Sequence, residues 1–559
     1  MAKHFFSKLL RPPYSITPIA LLTAAFIVIF DNRLFWHNVA AKLGVESFFQ
    51  SPLMITTGAL LVLLFTAVFL LTSFRPVFKP FMLCVLLVAA TVSYFSDSYG
   101  VIIDKSMVHN ILETDFQEAR ELFTLPLLWH LLLYGFLPAA LVLLTPIRYP
   151  RKFRGLLFRT GMVVACLGII VSLFVTSYKE FVLFGRANRE LQVFINPTYP
   201  IYAFQKVLKK KYFSHDDEPL QMIAADAVRT KEAKPTVIIL AVGETARAKE
   251  LGLNGYSRNT TPFTSDLGVI NFSDVNSCGT ATAESLPCMF SSLDKDNFSR
   301  DKASRLENLL DILQRTGVKV VWRDNDSGSK GVADRVTYED FSKKGDERFC
   351  DDSNCYDEVL LDGLGDLIRN NKGDLLVVLH LKGSHGPSYY KRSPADHKLF
   401  LPECTQDNVQ DCSQQTIVNA YDNTIVYTDY VLSKVIALLK AQNSDAAMLY
   451  LSDHGESLGE NGIYLHGLPY ALAPTEQTHI PMLFWASPEF LTSHHLSKSS
   501  LLAKQHEPLS QDNLFHSILG LFDVKTAVYK NSLDMFAGKN QVASNGHQQS
   551  DQPAKVTSN

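Results

Sequence analysis

Thr236-Val-Ile-Ile-Leu-Ala-Val242 is an apolar, β-branched run that halts at Gly243-Glu244-Thr245, and Met448-Leu-Tyr-Leu-Ser452 halts in the same way at Asp453-His454-Gly455-Glu456. Runs of this kind read as buried strands, and carboxylates and a histidine at their ends stand where open α/β sheets hold ligands. Between them lies Ser277-Cys-Gly-Thr-Ala-Thr-Ala-Glu-Ser-Leu-Pro-Cys-Met-Phe290, with two cysteines ten positions apart and Thr280 and Thr282 between them. That pattern describes a small stapled turn presenting a threonine. Further apolar stretches at Val318–Trp322, Leu375–Leu381 and Pro481–Trp485 alternate with helical stretches at Leu306–Arg315, Glu358–Arg369, Ala420–Ala441 and Gln511–Phe522. The alternation predicts a mostly parallel sheet covered on both faces.

At 559 residues the chain is too long for one core, so at least two folding units are expected. Its 53 basic and 56 acidic residues leave a net charge of −3, which argues against a nucleic-acid partner. Charge is unevenly placed. Five charge-free runs of 17 to 28 residues, Pro12–Phe30, Ser47–Phe74, Pro80–Ser96, Leu122–Ile147 and Thr160–Tyr178, occupy the first third. Crossing a hydrocarbon core takes about 20 helical residues, so these read as five transmembrane spans. Any one of them alone could be a core helix of a soluble protein; five in succession could not. The first follows Lys3, Lys8 and Arg11 as a signal peptide would, but no cleavage site follows it, and it reads as a retained span.

Lys and Arg number three before the first span, two in Arg75–Lys79 and five in Arg148–Arg159, whereas the alternate loops are acidic or balanced. By the positive-inside rule the N-terminus is cytoplasmic, and everything after Tyr178 is exported. The cysteines agree: Cys84 and Cys166 lie in apolar spans, and the other six form close pairs, Cys278/Cys288, Cys350/Cys355 and Cys404/Cys412. In an oxidising compartment they read as three disulfides. The alternative, a cysteine-rich metal site, lacks any pair with the two-residue spacing of a zinc knuckle.

The expected organisation is a transmembrane domain over 1–180, an interfacial segment and linker over 181–234, a periplasmic catalytic domain over 235–537 and a disordered tail over 538–559. Within the first of these, Val108–Glu121 has good helix formers and neither Gly nor Pro. Asn110, Thr114 and Glu118 then share one face of a helix on the outer leaflet. From spacing alone, such a face is more commonly a solvated one.

Val242-Gly-Glu-Thr245, the Cys278-Gly-Thr-Ala-Thr-Ala…Pro287-Cys-Met-Phe290 block, Lys382-Gly-Ser-His-Gly386 and Ser452-Asp-His-Gly-Glu456, in that order, resemble the alkaline phosphatase and sulfatase superfamily. Within it the chain, membrane part included, is similar to the lipid A phosphoethanolamine transferases, which include the colistin-resistance transferases. The resemblance implies an N-terminal five-helix transmembrane domain followed by an α/β domain of alkaline phosphatase/sulfatase type. It implies one tightly bound Zn²⁺ held by Glu244, Asp453, His454 and Thr282, leaves a second ion open, and makes Thr282, four residues after the first cysteine of the staple, the nucleophile in preference to Thr280. Carboxylate, imidazole and hydroxyl ligands suit that metal. His385 and His466 carry over as binders of a second cation or of the substrate phosphate, and Lys330 as a contact to phosphate oxygens. Many relatives carry cysteines on either side of that lysine, where this chain has Ser329 and Ala333, so one disulfide fewer and a looser loop are expected. Asn110, Thr114 and Glu118 match positions used around the lipid headgroup.

The implied reaction moves phosphoethanolamine from phosphatidylethanolamine to a lipid A phosphate through a phosphoethanolamine-threonine intermediate, releasing diacylglycerol and conferring resistance to polymyxin and cationic peptides. A monomer in a Gram-negative inner membrane is the implied setting. A sulfatase would need a Cys/Ser-x-Pro-x-Arg nucleophile context, and Cys278-Gly-Thr-Ala-Thr282 has neither Pro nor Arg. Transfer of phosphoethanolamine or phosphoglycerol to another envelope acceptor, such as a lipopolysaccharide core sugar, a glycan or a protein, stays open. A binding protein that had lost catalysis would first lose its metal ligands or nucleophile, and all of them stand.

Overall fold

The computed structural model describes residues 13–114, 116–149, 152–213, 219–229, 234–342, 346–351, 355–442 and 445–537, without the side chains of 116–118, 152–154 and 211–213. The tail expected to be disordered, 538–559, lies outside these residues. The chain divides into two compact units: Met1–Asp216 with Thr405–Gln414 and Ser457–Leu472, and Asp217–Cys404 with Gln415–Glu456 and Ala473–Asn559.

The first unit is helical. Its helices are α1 (Ile16–Phe30), α2 (Arg33–Leu43), α3 (Pro52–Leu71), α4 (Phe78–Tyr99), α5 (Lys105–Glu113), α6 (Phe116–Glu121), α7 (Leu125–Leu144), α8 (Lys152–Thr176), α9 (Tyr178–Ala187) and α10 (Thr198–Phe213). Local signals set their starts. The Ser51 hydroxyl accepts from Met54 N, and Pro52 takes the first position of α3, where its missing N–H costs nothing. By length and composition α3, α4, α7 and the Gly155–Thr176 part of α8 can each cross a membrane.

Of the first expected span, Pro12–Phe30, α1 covers Ile16–Phe30 as one helix of 15 residues, short of a crossing by itself. α1 and α2 meet at a bend of 60° and together make the fifth candidate span. Asn32, between them, is not helical; its amide donates to Ile27 O and to Asn196 O, both at 2.9 Å, and its Oδ1 accepts from Asn196 N at 2.9 Å. Asn196 in turn donates to Asp31 O and Ala89 O. The bend therefore satisfies buried backbone groups that a break in an apolar helix would otherwise leave unpaired.

The expected single helix over Val108–Glu121 is two. α5 ends at Glu113, and Thr114 turns to φ −60°, ψ 130°, with its hydroxyl bonded to Asn110 O at 2.7 Å. Asn110 and Thr114 thus lie at the end of one helix and Glu118 in the next, so the three do not form a continuous helical face. A threonine hydroxyl bonded back to the i−4 carbonyl competes with helix propagation.

The second unit holds a seven-stranded sheet of β1 (Thr236–Gly243), β2 (Ile270–Phe272), β3 (Lys319–Asp324), β4 (Thr337–Asp340), β5 (Leu375–His380), β6 (Asp445–Ser452) and β7 (Met482–Ala486), in the order β2-β7-β6-β1-β5-β3-β4. β6, β1, β5, β3 and β4 run parallel, and β7 is antiparallel to both of its neighbours. Every residue of β1, β5 and β6 is buried, as near-continuous apolar runs require when helices cover both faces. Those helices include α11 (Thr282–Met289), α12 (Leu309–Arg315), α13 (Leu364–Asn370), α14 (Gln414–Gln442) and α15 (Asp512–Leu521). The helix expected over Glu358–Arg369 is interrupted at Gly363, whose φ of 67° suits a residue without a Cβ.

Register brings the strand ends level. Ser452 pairs with Gly243, Val242 with His380, and Asp324 with His380. The residues that leave these ends therefore converge on one edge of the sheet.

Asn32→Ala removes three buried hydrogen bonds. Each group left unpaired costs about 1–3 kcal/mol, so thermal unfolding of the full chain in detergent is expected to shift down clearly. Asn38→Ala, which loses only a partly buried bond to Leu34 O, is expected to shift it little.

Candidate active site

Glu244 follows β1, and Asp453 and His454 follow β6. Asp453 N donates to Gly243 O at 2.9 Å, while its Oδ1 accepts from Thr245 N and His454 N, so the two strand exits are tied to each other. His454 donates from Nδ1 to Gly455 O at 2.9 Å, which leaves Nε2 as the acceptor nitrogen. That nitrogen lies 3.3 Å from Asp453 Oδ2, 3.5 Å from Glu244 Oε1 and 3.4 Å from Thr282 Oγ1. Thr282 Oγ1 donates to Glu244 Oε2 at 3.0 Å.

Thr282 is the first residue of α11, at the positive end of the helix dipole, where developing negative charge is favoured. The Cys278–Cys288 disulfide closes the turn around it. Gln511, fully buried at the start of α15, fixes that turn to the sheet: its Oε1 accepts from Cys278 N at 2.7 Å, and its Nε2 donates to Ser452 O and Asp453 O. Gly383, at φ 52°, passes so close to Glu244 that a Cβ there would lie 2.6 Å from Glu244 O.

Ligand atoms of Glu244, Asp453 and His454 lie within 4.8 Å of one another, and all three side chains are buried. Glu244 Oε1 and Asp453 Oδ2 have no hydrogen-bond partner among the described residues. Burial, then the neighbouring Asp453 and Asp326, push Glu244 well above the usual carboxylate range. A buried carboxylate pair with orphaned oxygens facing an imidazole acceptor and a hydroxyl fits a dication that takes nitrogen and oxygen ligands, Zn²⁺ among them.

Beside this set lies a group the sequence reading missed. Asp326 follows β3, and His380 ends β5; with Glu244 their ligand atoms also lie within 4.8 Å of one another. His380 Nδ1 is paired at 2.9 Å with Asp324 Oδ2, which also accepts from Trp322 Nε1. Burial alone would raise Asp326, but Lys382, His380, His385 and Lys330 around it hold it below the usual range. Lys382 Nζ stands 4.0 Å from Asp326 Oδ1. The sequence carried part of the signal, since Asp326 follows one buried strand and His380 ends another, but only register places them at the same edge as Glu244 and Asp453.

The structure thus brings Glu244, Thr282, Asp453 and His454 together and gathers His385 and Lys330 around Asp326. Lys330 has φ 52°, and its ammonium donates to Ser327 O and Oγ at 2.9 Å. Within its loop Ala333 N donates to Ser329 Oγ at 3.2 Å and Val332 N to Ser329 O. His466, Asn110 and Thr114 belong to the first unit, as does the backbone of Glu118, whose side chain is outside the described residues. Cys350 and Cys355 are bonded to each other, Cys404 and Cys412 are disulfide-bonded, and Cys84 and Cys166 are free.

Residues 235–524 match the Sulfatase family, and residues 61–212 match the family described as Phosphoethanolamine transferase EptA/EptB. The chain is 38% identical over 536 residues to Phosphoethanolamine transferase EptA of Escherichia coli (strain K12), covering 94% of this chain and 97% of that one. It is 37% identical over 530 residues to Phosphatidylethanolamine transferase Mcr-1 of Escherichia coli, covering 91% and 96%. Among solved structures it is similar to the integral membrane protein lipooligosaccharide phosphoethanolamine transferase A (EptA) from Neisseria meningitidis, with a TM-score of 0.90, 33% identity and coverage of 94% and 99%.

Because Glu244 binds its proton more tightly folded than unfolded, the metal-free protein is expected to lose stability as pH rises from about 4.3, the unfolded carboxylate value, through the raised folded value. Melting of chelator-treated protein against pH checks this. Zn²⁺ should restore stability most at the alkaline end, and Glu244→Gln should flatten the metal-free slope.

Proposed function

The chain belongs to the phosphoethanolamine transferase EptA family, and from that footing we propose that it moves phosphoethanolamine from phosphatidylethanolamine to a lipid A phosphate, with Thr282 carrying the group in between. The observation that supports this reading is Thr282 Oγ1 at 3.0 Å from Glu244 Oε2 and 3.4 Å from His454 Nε2, at a helix N-terminus. Glu244, Asp453, His454 and Thr282 would hold Zn²⁺, which when bound lowers the pKa of a coordinated hydroxyl and polarises a phosphoryl oxygen.

Thr282 Oγ1 forms a bond to the donor phosphorus as the bond from phosphorus to the diacylglycerol oxygen breaks, and that oxygen leaves as the diacylglycerol hydroxyl. A lipid A phosphate oxygen then attacks the same phosphorus and releases Thr282. The cations gathered around Asp326, with Lys330, Lys382 and His385 among them, suit the charge spread over the equatorial oxygens. His466 serves as a further phosphate or cation contact in this reading, and Asn110, Thr114 and Glu118 as headgroup contacts. Four or five membrane spans keep the protein where both lipids are, with residues 235–537 in the periplasm and the spans in the inner membrane. An added ammonium offsets a lipid A phosphate charge and so weakens attraction of polymyxin and other cationic peptides.

Thr282→Ala is expected to abolish transfer and the phosphoethanolamine adduct on the protein, both read by mass spectrometry, while Thr280→Ala keeps most of each. The reverse result would move the nucleophile by two residues. Lipid A from cells with and without the protein identifies the acceptor, and unmodified lipid A beside a modified core sugar would reassign it.

A further inference from the structure

Within the helical unit, α4, α5 and α10 border an open cleft of about 780 Å³. Leu87, Val88 and Val92 of α4, Val108 and Ile111 of α5 and Phe204 of α10 line it. Thr91 also faces it, but its hydroxyl donates to Leu87 O at 2.8 Å, so the wall makes no polar demand there. Ile111 and Phe204 are 52% and 43% exposed, apolar surface that a chain in lipid presents to something other than water. Gln205 and the exposed Lys209, both on α10, are the polar members of the lining.

Depth narrows the occupant. Val92 and Leu87 lie seven and twelve residues before Tyr99, the last residue of α4. At about 1.5 Å per residue, the cavity reaches roughly 10–18 Å in from that end, which is the depth of one leaflet of a hydrocarbon core about 30 Å thick. A wall of aliphatic and aromatic side chains at that depth, with an ammonium as its one charge, matches a hydrocarbon chain joined to an anionic group.

α5 then has two sides. Val108 and Ile111 line the cavity, whereas Met107 and Asn110 lie against Gly467: a Cβ there would be 2.5 Å from Met107 Cε and 4.0 Å from Asn110 Nδ2. Gly467 adjoins His466, so one short helix joins an apolar cavity to two of the residues assigned above to headgroup and phosphate.

We infer that this cavity is the acyl-chain site for the glycerophospholipid donor, with Lys209 near the phosphodiester and the Asn110 side of α5 toward the headgroup. The inference rests on the donor being a phospholipid, as proposed above. It adds chain-length selectivity: a donor must seat a hydrocarbon tail between α4, α5 and α10 before its phosphodiester is presented.

The test uses the full chain in nanodiscs. A phosphatidylethanolamine bearing a diazirine at the end of one acyl chain should cross-link to residues of α4, α5 and α10, mapped by peptide mass spectrometry, and unlabelled phosphatidylethanolamine should compete. Ile111→Trp and Val92→Trp, on two different walls, should raise KM for dioleoyl phosphatidylethanolamine about tenfold while leaving hydrolysis of a water-soluble phosphoethanolamine ester unchanged. Equal loss on both substrates, cross-linking that a photoreactive lipid A out-competes, or equal labelling by phosphatidylcholine would overturn the inference. If no phosphoethanolamine ester of any kind is turned over, the reaction reading fails separately, and the cross-link map still reports on the cavity.

Discussion

Three carboxylates, from Glu244, Asp326 and Asp453, converge at the carboxyl edge of a sheet whose central strands are buried along their whole length. In that low dielectric their mutual repulsion is strong, and ionised carboxylates are stable there only beside positive charge. The rest of the second unit answers that constraint. His454 faces the Glu244/Asp453 pair with an acceptor nitrogen, which suits a dication between them, while Lys382, His380, His385 and Lys330 surround Asp326. The same arrangement suits an anionic phosphodiester, because cations fixed by a buried carboxylate need no reorganisation when a substrate charge arrives.

Precision at this edge comes from groups that do no chemistry themselves. Gln511 spends three hydrogen bonds joining the disulfide-closed turn to the end of β6, so the distance from Thr282 to His454 is set by backbone positions and not by loop chance. Asp324 holds His380 through Nδ1, which fixes which face of the ring looks into the cluster. Gly383 lets the chain after β5 run against Glu244 where any side chain would collide with its backbone.

Much of this was legible in the sequence because it depends on local pattern. Continuous apolar runs marked β1, β5 and β6, and the acids and histidine at their exits marked the site, since both follow from burial and strand direction. Charge-free runs marked the helical unit for the same reason. What escaped was set by tertiary pairing. The bend at Asn32 depends on Asn196, far along the chain, and α5 ends at Thr114, where the chain turns extended without a Gly or Pro to announce it. Asp326 and His380 escaped because one follows and the other ends an ordinary strand, and only register shows that β3 and β5 stop level with β1. Gln511, a neutral residue at a helix start, gave no chemical signal at all.

The hydrogen bond from Ala333 N to Ser329 Oγ holds the lysine loop without a covalent link, in a chain whose threonine turn is closed by a disulfide. Six cysteines can pair in about 15 ways, and eight in about 105. Holding this loop with a hydroxyl, and not with a further cysteine pair, keeps the search that oxidative folding has to complete short. The Lys330 loop then closes when the backbone folds, independent of thiol oxidants, and only the disulfide-closed turns depend on the redox state of their surroundings.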